Sequence, residues 1–148
     1  MTEQDDTELR RIFDTTRVIA VAGMTDNPAK PSFYVPKFLQ DLGYRVIPVN
    51  PALAGKTVLG ETAYAGFAEI PAEIEVDMIE IFRRSEQIPP VVSEALAALP
   101  HLRTVWMQHG LRNEEAAAEA RAAGKAVVQD ACPKMEIPRL YGAGGPLA

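Results

Sequence analysis

"VIAVAGMTDNPAKPSFYV", residues 18–35, decides the fold. Arg17–Ala22 is almost wholly apolar and rich in β-branched residues, the pattern of a strand covered on both faces. Gly23 ends that run. Ser32 then stands where it can cap a helix reaching about Gly43, with Phe33, Val35, Phe38, Leu39 and Leu42 as its apolar face. Pro36 falls near the first turn, where a missing N–H costs little. Strand, glycine turn and helix start together make the first unit of a layered α/β sheet.

Outward from this unit the pattern repeats. Thr7–Thr15 carries Leu9, Ile12 and Phe13 at helical spacing, a short amphipathic helix ahead of the sheet. After Gly43, Tyr44–Val49 reads as the second strand, broken by Asn50-Pro51. Ala52–Pro71 is irregular, with a short helical turn around Phe67–Ile70. Val76–Phe82 forms a third strand, Ser85–Leu99 a helix whose first turn starts near Pro90, and Thr104–Gln108 a fourth strand. Asn113 caps a helix closed by Gly124, and Ala126–Gln129 is the fifth strand. Right-handed crossovers make this an open parallel five-stranded sheet with helices on both faces, most simply in the order 3-2-1-4-5. Asp130–Ala148, with Pro133, Pro138, Pro146 and a Gly-rich end, is expected to finish loosely.

Composition narrows the function. A chain of 148 residues suits one domain, and 47% apolar with 24% charged residues is ordinary for a water-soluble fold. No apolar run approaches a membrane span, and the acidic start Met1–Asp6 is unlike a secretory or transit leader, so cytoplasm is the expected compartment. A single cysteine, Cys132, excludes an internal disulfide, and no Cys/His cluster has metal-ligand spacing, so no metal is expected. The net charge of −5 gives no field for nucleic acid but leaves room for a local basic cluster holding one small anion.

Such a sheet binds ligands at the carboxyl ends of its strands. Those ends carry Gly23, Met24, Thr25, Lys30 and Ser32 after the first strand, and Asn50, Pro51 and Lys56 after the second. Phe82, Arg83 and Arg84 follow the third, and Gln108, His109 and Gly110 follow the fourth. A helix start near Ser32 offers free N–H groups to an anion, Lys30 adds a full charge, and Gly23 permits close backbone approach. The string after Gly23 does not satisfy G-x-G-x-x-G, so no standard nicotinamide grip is written here. Nor does an acid close the second strand to receive ribose hydroxyls; Val49-Asn50-Pro51 stands there instead. With Lys56 and Arg83 nearby, a nucleotide with an extra ribose phosphate fits better than NAD, which leaves NADP or coenzyme A.

Five segments carry a resemblance: "VAGMTDNPAKPS" (21–32), "YRVIPVNPALAGKTVLGE" (44–61), "VDMIEIFRRSE" (76–86), "VWMQHGLRNEEA" (105–116) and "CPKMEIPRL" (132–140). Together the chain resembles the small stand-alone bacterial coenzyme A-binding proteins, similar to the N-terminal domain of the succinyl-CoA synthetase alpha subunit, from about Arg11 to Leu140. The resemblance implies a Rossmann-like domain that takes coenzyme A or an acyl-CoA as its small-molecule ligand. On it, Gly23, Met24, Thr25 and Ser32 approach the pyrophosphate or adenosine, Lys30 neutralises phosphate, and Asn50 and Pro51 line the adenine side. Lys56 is a further phosphate candidate. Phe82 and Arg83 flank the pantetheine or nucleotide path, with Gln108 and His109 near the thiol end.

No catalytic residue is evident. His109 could act as a base or phosphoryl acceptor, but no Ser, Cys or Asp in the neighbouring loops forms an obvious triad with it, so it is read as a binding or structural residue. Cys132 reads as a small packed side chain in preference to a thiol that pairs with coenzyme A. Trp106 and Met107 read as core, and Glu114, Glu115 and Glu119 as a solvated helix face. The expected function is binding of coenzyme A without turnover, with a partner-dependent CoA enzyme subunit or an NADP-linked reductase as the alternatives.

Overall fold

The protein is described by a computed structural model covering residues 5–147. The expected loose ends at residues 1–4 and 148 lie outside the described residues. The order of elements is α1 (Asp6–Thr15), β1 (Val18–Ala22), α2 (Pro31–Asp41), β2 (Arg45–Val49), β3 (Thr57–Val58), β4 (Glu61–Thr62) and β5 (Met78–Ile81). There follow α3 (Ile88–Ala98), β6 (Thr104–Met107), α4 (Glu114–Ala122), β7 (Ala126–Val128) and α5 (Pro133–Tyr141). Five strands form one parallel sheet in the order β2-β1-β5-β6-β7, and β3 and β4 make a small antiparallel hairpin.

The α/β class and open parallel sheet stand as expected; the strand order does not. Counting only the main sheet, the order is 2-1-3-4-5 in place of 3-2-1-4-5, because β5 pairs with β1 and leaves β2 at the edge. Pro48 supplies the physical reason. Its carbonyl accepts from Tyr64 N at 3.0 Å, on the side away from β1, and its N atom faces the same way. A second long strand there would meet a missing donor, so proline belongs on an edge. The chain covers that edge with irregular structure instead. Asn50 N donates to Tyr64 O at 2.9 Å, and Arg45 Nε reaches Glu61 Oε2 of β4 at 2.7 Å. Leu59 and Gly60, both at positive φ, turn the β3–β4 hairpin.

Strand alternation divides the core into two faces. Ala20, Ile79, Ile81, Val105 and Met107 pack with α3, α4 and the 3₁₀ turn Phe67–Glu69. Ile19, Val21, Met78, Trp106 and Val128 pack with α1, α2 and α5. Trp106 is fully buried and its indole N–H donates to Ala131 O at 2.8 Å, so the largest side chain of the core also fixes the segment that leads into α5.

Two helix starts differ from expectation. Lys30, not Ser32, is the N-cap of α2; Pro31 takes the first helical position, where its fixed φ and absent N–H suit it. Beyond β7 the chain forms α5 despite Pro138 within it, and Ile137 and Leu140 anchor that helix on the α1–α2 face. The segment after it folds back, with Leu147 packed near Gly43 and Leu42 near Gly145. Among the described residues no helix is long and apolar enough to cross a membrane.

Candidate functional site: a cationic crevice at the switch point

Between β1 and β5 the connections run to opposite faces of the sheet. The chain leaves β1 through α2 toward β2, and leaves β5 through α3 toward β6. A crevice opens at such a switch point. Gly23 makes it possible: at φ +85°, a Cβ there would collide with the Phe82 carbonyl oxygen and lie 3.0 Å from its carbon and 3.3 Å from Arg83 Nε. The end of β1 therefore passes directly against the end of β5, and only glycine allows both the conformation and the approach. The loop that follows is braced by its own side chains: Asn27 N donates to Thr25 Oγ1 at 3.2 Å and Ala29 N to Asn27 Oδ1 at 3.0 Å.

The cleft beyond this contact has a volume of about 670 Å³. Its walls come from the starts of α2 and α5 and from the loops after β5 and β6. Lys30, Arg83, Arg84 and Lys134 line it, with no Asp or Glu among the lining residues, although the chain as a whole carries a net charge of −5. None of these four cations has an ion-pair partner among the described residues; Lys134 Nζ lies over the Phe38 ring at 5.3 Å. Two helix N-termini add positive partial charge, since both Lys30–Ser32 and Cys132–Lys134 lie on the wall. Phe82, Val35 and Leu111 give the same cleft an apolar lining. Tyr34 and Met135, the large hydrophobic side chains most exposed among the described residues, stand at this cleft.

Polar groups on the floor are unmatched. Gln108 is only 8% exposed, lines the cleft, and its Oε1 has no hydrogen-bond partner. On β5, Glu80 is fully buried beside Val21 and Trp106 with neither carboxyl oxygen bonded, and burial pushes its carboxyl up to about 8. It is therefore a neutral acid at pH 7 in the same face of the sheet as Gln108. Nearer the solvent, His109 Nδ1 lies 3.2 Å from Asp130 Oδ1, which also accepts from Gly110 N at 2.7 Å. That N–H holds the Asp130 carboxyl below the usual carboxylate range, with His109 adding to it when protonated. Asp130 itself sits at φ +56°. Asp130, from the loop after β7, thus stands beside His109, a pairing the sequence reading did not name.

The predicted site residues divide evenly. Lys30, Ser32, Phe82, Arg83, Gln108 and His109 meet in the cleft. Gly23 shapes it without lining it, and Met24 is fully buried in the core with its carbonyl accepting from Asn50 Nδ2 at 2.8 Å. Thr25 braces its loop. Asn50 also caps the 3₁₀ turn Pro51–Leu53 by accepting from Ala52 N, and Pro51 and Lys56 are exposed beyond the β2 edge, outside the cleft. The loop after β2 lies on the flank because β2 pairs with β1 on the side away from the crevice. Tyr34, Cys132, Lys134 and Met135 were missed as site residues. The signal for the last three was available: they follow the fifth strand, at the same carboxyl edge as the other loops.

Fold and cleft together define a doubly wound α/β protein with an anion-seeking crevice at its switch point. Comparison with known proteins gives the family. Residues 17–138 match the family model described as CoA binding domain, and the chain belongs to that family. It is 39% identical over 128 residues to the uncharacterized protein YneT of Bacillus subtilis, covering 86% of this chain and 90% of that one. A solved Thermus thermophilus protein, cell-free ID.343, is 36% identical over 93% of this chain and 100% of its own, with a TM-score of 0.86. The dinucleotide-forming acetyl-coenzyme A synthetase 1 of Ca. Korarchaeum cryptofilum shares the fold at 22% identity and a TM-score of 0.63, over 80% of this chain and 26% of the synthetase.

Proposed function

We propose that the protein binds coenzyme A or an acyl-CoA in the crevice between β1 and β5, and does so as a binding module without turnover. The observation that carries this reading is a cleft lined by four cations and by no Asp or Glu, in a chain that is acidic overall. Its mixed lining suits a ligand with a phosphorylated head and an apolar arm. Membership of the CoA binding domain family supports the choice of coenzyme A. Lys30 and the start of α2, with Arg83 and Arg84 opposite, take phosphates; Phe82, Val35 and Leu111 flank the arm.

Calorimetry with coenzyme A, dephospho-coenzyme A and NADP tests the proposal. Coenzyme A should bind tightest, with the dephospho form weaker by roughly tenfold for one lost charge-assisted contact. NADP binding as tightly as coenzyme A would favour a reductase; equal binding of the dephospho form would remove the argument from basic groups.

A further inference from the structure

We propose that Cys132 captures the ligand's sulfur: the cleft is a site of thiol–disulfide exchange in which a disulfide form of coenzyme A leaves its CoA half on the protein. The inference rests on the coenzyme A reading and goes beyond it.

Sequence alone reads Cys132 as packing. The structure puts it on the cleft wall, as the N-cap of α5, free and only partly buried. Gln108, independently, points to a ligand at this end. It is more than nine-tenths buried, lines the same cleft, and has an acceptor oxygen with no donor. A phosphate has no proton to give it at neutral pH, whereas the pantetheine arm ends in an amide N–H two carbons from the sulfur. Gln108 and Cys132 line the same cleft, so an arm whose amide engages Gln108 ends with its sulfur in the space that Cys132 also lines. The cations Arg83 and Lys30 draw the phosphates elsewhere along the cleft.

The thiol proton also has an acceptor in the cleft. His109 lines the cleft with Cys132, its Nδ1 3.2 Å from Asp130 Oδ1, and a neutral imidazole keeps one unprotonated nitrogen that can take the thiol proton. The step balances without a further oxidant. Cys132 Sγ attacks one sulfur of the CoA disulfide, a new S–S bond forms and the old one breaks, and the electron pair leaves with the departing thiolate, which takes up a proton.

The test uses the full chain with CoA disulfide and, separately, glutathione disulfide, followed by intact mass and peptide mapping. One CoA adduct should form on Cys132, at least tenfold faster than glutathionylation at equal concentration, and be reversed by dithiothreitol. Reduced coenzyme A should slow it by occupying the cleft. Cys132→Ser should form no adduct, and calorimetry of the wild type with reduced coenzyme A reads the binding separately. Rates equal for the two disulfides, in a protein that binds coenzyme A, would overturn the capture and leave the binding reading intact. Failure of the wild type to bind coenzyme A would overturn both.

Discussion

The two ends of the sheet are built differently. At the amino end, polar groups are matched. Asp77 accepts from the N–H groups of Arg17 and Val18 at 3.1 Å, and its carbonyl accepts from Arg103 and Thr104. A hollow of about 400 Å³ there also carries Arg11, Arg103 and Lys125, but Glu8 sits among them and pairs with Arg11 at 2.9 Å. At the carboxyl end, four cations go unpaired, Gln108 and Glu80 lack partners, and Gly23 and Asp130 hold positive φ. Positive charge alone does not distinguish the ends. The unpartnered buried oxygens of Gln108 and Glu80 do, and such groups persist where a ligand completes them.

The largest test of this contrast concerns Glu80. Unfolded, its carboxyl titrates near the ordinary value of 4.5; folded, burial raises it to about 8. The folded state holds the extra proton across that window, so this contribution to stability is full below pH 4.5, falls by about 1.4 kcal/mol per pH unit as pH rises, and is lost above about pH 8. Chemical denaturation of Glu80→Gln from pH 5 to 9 should show that slope removed. An unchanged slope would mean the acid finds a partner in solution. Next, Gly23→Ala should cost about 2–4 kcal/mol in urea unfolding, since it meets both a positive φ and the Phe82 carbonyl. A loss under about 0.5 kcal/mol would show that the two loops can part.

Smaller effects sharpen the comparison. Lys30→Ala should weaken coenzyme A binding by about 1 kcal/mol, read by calorimetry, with no matching loss of thermal stability. Lys125→Ala, at the amino-end hollow, should leave affinity within twofold; a greater loss there would move the ligand to the wrong end. Smallest of all is Lys56→Ala, expected to change affinity by less than twofold because Lys56 lies beyond the β2 edge.

Much of this was legible in the sequence, unevenly. The buried run at 18–22 and the cap at Asn113, which accepts from Ala116 N at 2.9 Å, gave elements within a residue or two. Strand order was harder, because periodicity records burial and not which neighbour does the burying. Pro48 nevertheless marks β2 as an edge, and its weight would have moved β5 to the other side of β1. That single change brings Phe82 and Arg83 against Gly23, while β2 stays beside β1 in either order. Helix α5 was hidden by its prolines: Pro133 is harmless at the helix start, and Pro138 is tolerated because Ile137 and Leu140 hold the helix on the core. With α5 unseen, Cys132 and Lys134 had no wall to belong to. The Asp130–His109 pair depends on a left-handed residue after β7, which no local pattern announced.

The most direct test of the central claim is a crystal structure of the protein grown with coenzyme A. The account predicts phosphate density between the start of α2 and the Arg83–Arg84 loop, with the arm running past Phe82 toward Gln108. Coenzyme A seated instead among Arg11, Arg103 and Lys125, or on the flank beside Asn50 and Lys56, would contradict it.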